Sequence, residues 1–197
     1  MIMLIQPTSI CTGILITISA LAERNDLYMK GLIIHRQNNC NYFTNLTEII
    51  DVMGDIALEY NWLISNYECN VYPSDQIPFR KQYVWLTGRE LLSILEEHEI
   101  QFIWGVVTAY SSNIVPNDVL SYPLPFADGN TAFWQPEITM QNPLAEIEIV
   151  PWDATLVLII AKSEEIVDKF ANEYVNSDDL ETYNRSHTII KDGIGDD

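Results

Sequence analysis

The stretch Leu144-Ala145-Glu146-Ile147-Glu148-Ile149-Val150-Pro151-Trp152-Asp153-Ala154-Thr155-Leu156-Val157-Leu158-Ile159-Ile160 decides the fold class. Its first half alternates. Glu146 and Glu148 fall on one face of an extended chain and Ile147 and Ile149 on the other, the period of a strand with one wet face. Thr155 to Ile160 is almost wholly apolar, as a buried strand is. Pro151-Trp152-Asp153 supplies the turn, so the two strands read as antiparallel neighbours.

Towards the carboxyl end, Ser163 opens a helix through Ile166, Val167, Phe170 and Tyr174, with Glu164 and Glu165 beside its positive end. Asp178-Asp179-Leu180 starts one more turn, and 186–197 reads as a flexible polar tail. Towards the amino end, Phe102 to Val107 is a buried strand. Thr87-Gly88-Arg89-Glu90 is a capping box for a helix whose Leu91, Leu92, Ile94 and Leu95 face inward. Tyr83–Leu86, Asn61–Tyr67 and Leu32–His35 read as strands, and Val71-Tyr72 as a short one before Pro73. Asn45-Leu46-Thr47-Glu48 opens a helix running to Tyr60. Asp51, Asp55 and Glu59 share its outer face, opposite Ile49, Ile50, Met53, Ile56 and Ala57. The sum is an α+β fold: one domain over 29–185, with a mixed or antiparallel sheet and about three helices packed on it.

Between Ser111 and Asn142 the periodicity stops. Pro116, Pro123, Pro125 and Pro136 punctuate the stretch and Asp128-Gly129 marks a turn, yet Tyr122, Phe126, Phe133 and Trp134 are in it. A loop of this length and aromatic content packs on the body, and such loops usually carry function.

The chain of 197 residues has 28 acids against 10 bases, a formal net charge of −18. No Lys or Arg occurs between Arg36 and Arg80 or between Arg89 and Lys162, and those two windows hold 16 acids. A nucleic-acid or anionic-membrane binder draws its affinity from basic clusters, so both classes are excluded as direct partners. An acidic face suits a basic protein partner, whose approach a complementary field accelerates.

Catalytic and cofactor motifs are missing. Cys11, Cys40 and Cys69 form no CxxC pair, and His35, His98 and His187 have no ligand spacing, so no metal and no cofactor is expected. Neither a G-x-S-x-G elbow, a P-loop, a GxGxxG nor an H-E-x-x-H occurs. Asp128-Gly129-Asn130 lacks the later ligands of a calcium loop. Unpaired cysteines fit a reducing cytoplasm. Residues 1–28 read as a poorly ordered extension ahead of Met29. A secretion signal is the competing reading, since Ile10 to Ala22 is almost uncharged, although Met1 to Ser9 lacks a basic residue.

From Met29 to about Asn184 the sequence resembles a bacterial family of small acidic proteins of unknown function. The resembling residues are Tyr60-Asn61-Trp62-Leu63-Ile64, Phe126-Ala127-Asp128-Gly129 with Phe133-Trp134, and Pro151-Trp152-Asp153. In type it is similar to the immunity proteins that neutralise bacterial toxins: single α+β domains, acidic, rich in tryptophan and without catalytic motifs. The second resemblance implies a non-enzymatic inhibitor that occludes a basic partner. The partner-binding surface expected is Asp51, Asp55, Glu59, Asp128, Phe133, Trp134, Glu146, Glu148, Trp152 and Asp153. Two alternatives stand beside it: a nucleic-acid mimic from a mobile element that blocks a host defence protein, and a small enzyme with a carboxylate site such as Glu146, Glu148 and Asp153.

Overall fold

The computed structural model describes residues 29–37, 43–70 and 82–192. The expectations for residues 1–28, Cys11, Cys40 and Val71-Tyr72 lie outside them. The fold is α+β, built on a seven-stranded antiparallel sheet. The strands are β1 (Lys30–His35), β2 (Tyr60–Cys69), β3 (Tyr83–Thr87), β4 (Phe102–Ser111), β5 (Ile147–Trp152), β6 (Leu156–Ala161) and β7 (Ser177–Asp179). Their spatial order is β3-β2-β4-β5-β6-β1-β7. The helices are α1 (Leu46–Asp51), α2 (Gly88–Glu97), α3 (Pro116–Val119), α4 (Glu164–Glu173) and α5 (Leu180–Asp192), with 3-10 turns at Gly54–Glu59 and Thr131–Trp134.

The hairpin read from 144–160 is present. Ile147 pairs with Ala161 and Trp152 with Leu156, so Pro151 and Trp152, expected in the turn, belong to β5, and the loop is Asp153-Ala154-Thr155. Asp153 and Ala154 are at positive φ and the Thr155 amide donates to the Trp152 carbonyl at 3.0 Å. Alternation along the strands divides two cores. Leu32, Ile34, Trp62, Ile64, Val107, Ile149 and Ile159 face one side, where α1, α2 and α4 cover them with Ile49, Leu91 and Phe170. Ile33, Leu63, Val106, Tyr110, Val150, Leu158 and Ile160 face the other, under the 112–146 segment and α5. The long loop is therefore a structural layer.

Three local expectations change. The helix from Asn45 does not reach Tyr60: it ends at Asp51, and Gly54 at φ 59° resets the chain into a 3-10 turn. Asp51 thus leaves the line of Asp55 and Glu59. Ser163 occupies the N-cap position of α4 without a side-chain cap bond. Asp178-Asp179 forms an edge strand, and α5 runs from Leu180 to Asp192, into the segment read as a tail. The Thr87 capping box is complete, with the Thr87 amide donating to Glu90 Oε2 at 2.7 Å and the Glu90 amide to Thr87 Oγ1 at 3.3 Å.

Candidate functional site

The loop layer must satisfy its backbone without a ladder, and side chains do this work. Ser65 Oγ and Asn66 Nδ2 both donate to the Pro125 carbonyl, at 2.7 and 2.8 Å. Asn66 sits at φ 44°, where β2 slips register against β4 between Ser65 and Glu68. This bulge turns the strand and aims its next residues anew. Gln141 grips Phe126 twice: Oε1 accepts from the Phe126 amide at 3.0 Å and Nε2 donates to the Phe126 carbonyl at 3.1 Å. The Asn130 side chain also donates to Gln141 Oε1.

The result is an open groove of about 490 Å³ between the bulge, β4 and the loop, lined by Asn66, Tyr67, Glu68, Trp104, Phe126 and Asp128. Glu68 and Asp128 are exposed, and among the described residues neither is ion-paired to a Lys or Arg. Phe126 keeps 45% of its surface exposed despite its size. Trp104 is held by Trp152, their rings edge to face at 5.0 Å.

Beneath the loop lies a buried polar cluster. Glu148 is fully buried; its Oε1 accepts from the amides of Gln141 at 2.8 Å and Asn142 at 3.4 Å. Burial pushes its carboxyl up to about 8, against the lowering effect of those two amides. Thr108, its cross-strand neighbour, and Tyr110 share its sheet face. Glu148 Oε2 has no hydrogen-bond partner among the described residues. Burial and the nearby Glu148 raise the Tyr110 phenol as well.

The expected surface is accordingly divided. Glu148 is not on a wetted sheet face, because the loop layer covers that face, and no partner reaches it. Phe133 is likewise buried, at 2% exposure. Trp152, half-buried, is the hub of an aromatic cluster with Trp104, Phe133 at 6.1 Å and Trp134 at 4.9 Å, and Trp134 continues to Tyr183 of α5. These rings staple the loop to the body. Asp51 lines a second groove of about 410 Å³ with Glu48, Val52, Glu173 and Tyr174. Asp55 is exposed on the 3-10 turn and Asp153 at the β5–β6 turn. Glu59 and Glu146 converge on Tyr60, whose phenol is raised by its burial first and then by their charges. Glu146 also meets Lys162 at 3.2 Å. Of the expected residues, only Asp128 lines the aromatic groove.

Sequence reading missed Tyr67, Glu68, Trp104 and Phe126 as groove residues. One signal was present: Ser65-Asn66, polar and turn-prone inside an apolar strand, marks the bulge that gathers them. Among the described residues no cluster of His, Cys, Asp and Glu is arranged to hold a metal. No helix among them is long and apolar enough to cross a membrane. No family model, no curated protein and no solved structure matches the chain.

Proposed function

We propose that this protein is a non-enzymatic, immunity-type inhibitor that binds a basic protein partner, such as a bacterial toxin, and occludes its working surface. The observation that carries this reading is the groove at the loop face. Aromatic surface coincides there with carboxylates that no Lys or Arg among the described residues pairs, next to a chain region without basic residues between Arg89 and Lys162. Exposed aromatics beside complementary charge are what protein-binding hot spots are made of. The exposed acids Asp51, Asp55, Glu59 and Asp153 add long-range attraction rather than contact energy.

The same arrangement speaks for binding over catalysis. Among the described residues the one carboxyl with a strongly raised pKa, Glu148, is sealed between sheet and loop, where no substrate reaches it. A general acid has to touch the group it protonates.

The test is affinity capture of the partner at low and high salt, followed by titration of the purified partner's own activity. The expected result is a basic protein whose association slows with salt and whose activity is lost at one equivalent. A partner held equally fast at both salt concentrations, or bound without loss of its activity, would sink the proposal.

A further inference from the structure

Resting on that reading, the geometry points to the chemical group that the groove receives: the guanidinium of an arginine side chain supplied by the partner. Three aromatic residues and two carboxylates line one space. A planar cation satisfies both sets at once, stacking on a ring face while its N–H fork donates to carboxylate oxygens. Lysine ammonium is a compact, strongly hydrated charge that offers no plane to stack and holds its water more tightly. Asn66 adds a neutral polar side chain at the rim, with its Nδ2 already committed to Pro125.

The walls are set before any guest arrives, which reduces the ordering cost of binding. Trp104 is fixed by Trp152 at 5.0 Å, and Phe126 is fixed through both its backbone groups by Gln141. The clamp of Ser65 and Asn66 on Pro125 fixes the loop beside the bulge. Phe126 remains the exposed ring of the set, so it has the most surface to gain from a guest.

The experiment uses the full chain and two blocked tripeptides, acetyl-Gly-Arg-Gly-amide and acetyl-Gly-Lys-Gly-amide, followed by the indole N–H resonance of Trp104. The arginine peptide should saturate that shift with an affinity on the order of millimolar, and the lysine peptide should bind about fivefold more weakly. Asp128→Asn, Glu68→Gln and Phe126→Ala should each weaken the arginine peptide by about fivefold or more while the remaining indole resonances stay in place. Equal binding of both peptides, or no shift at Trp104, overturns the assignment. The variant R80A/K81A covers one more occupant, because Gln82, next in the chain, accepts a bond from the Asn66 amide at 2.9 Å. If only that variant takes up the arginine peptide, the chain fills its own groove and the inference fails. Arginine binding with no basic partner captured would leave the groove standing and remove the immunity reading; a partner indifferent to all three groove variants would do the reverse.

Discussion

The Glu148 carboxyl oxygen Oε1 accepts the backbone amide of Gln141 at 2.8 Å, and through that bond the centre of the sheet holds the loop that builds the groove. Gln141 then passes the constraint on, gripping the amide and carbonyl of Phe126 with its side chain. A buried acid on β5 thus positions an exposed aromatic ring without touching it.

Glu148 has its carboxyl raised to about 8 by burial, so between the ordinary glutamate value near 4.5 and about 8 the folded protein holds a proton that the unfolded chain has released. Stability from this group is present below the unfolded value and falls as pH rises through that window, by up to a few kcal/mol. The expected outcome is a midpoint of urea unfolding that declines from pH 5 to pH 8. Glu148→Gln keeps an acceptor for the Gln141 amide and gains a donor beside Thr108 and Tyr110. It should flatten the decline and equal or exceed the parent at pH 8. An unchanged slope in the variant would assign the pH dependence elsewhere.

Gln141→Ala removes three side-chain hydrogen bonds that hold Phe126 and Asn130. It leaves the Gln141 amide bond to Glu148 intact. Global stability should fall by about 1–3 kcal/mol. Hydrogen exchange at the Phe126 amide should rise far more than exchange in β4 or β5, because the opening is local. Uniform acceleration across the sheet would mean that Gln141 holds more than the loop.

Much of the strand architecture was legible in advance, and the reason is period two. Ile147, Glu148 and Ile149 alternate truthfully: the isoleucines do face the helix layer and Glu148 does face the other side. What alternation does not carry is what covers the second face. A polar residue in an alternating strand reads as wet, and Glu148 is dry only because a segment without periodicity folds over it. That segment is held by Gln, Asn and Ser side chains bonding to backbone, a device that leaves no hydrophobic rhythm to read. The same limit hid the groove. Tyr67 and Glu68 lie far in the chain from Trp104 and Phe126, and they meet where the β2–β4 register slips between Ser65 and Glu68 and slips back between Glu68 and Cys69. Conversely, the cap at Thr87 was readable because both partners lie within four residues. The break at Gly54 escaped because the apolar spacing runs straight through it.

Gly88 opens α2 against the 3-10 turn at 54–59. A Cβ placed there would lie 2.3 Å from the Ala57 carbonyl oxygen and 2.7 Å from Leu58 Cα, both backbone atoms that cannot swing aside. Gly88→Ala should therefore destabilise by more than about 2 kcal/mol, although alanine is the better helix former. Thr87→Ala, one residue earlier, removes only the cap and should cost about 1 kcal/mol. If the two variants unfold at the same denaturant concentration, the close approach of α2 to the 3-10 turn is not what Gly88 provides.

Trp152 separates the two roles that an aromatic cluster can play, a binding surface or a staple. Its ring meets Trp104, Trp134 and Phe133 at once, and Trp134 leads on to Tyr183 of α5. Truncation to alanine leaves a void at the junction of sheet, loop and helix, and the surrounding rings are too rigid to fill it. Trp152→Ala should lose about 3–5 kcal/mol of stability, whereas Trp152→Phe should retain most of it. Because Trp152 holds Trp104 in the groove wall, the phenylalanine variant should weaken partner binding more than it weakens the fold. Its unfolding midpoint and its partner affinity, measured side by side, decide the point. A variant that loses stability but binds at full strength would show that the groove does not depend on the cluster behind it.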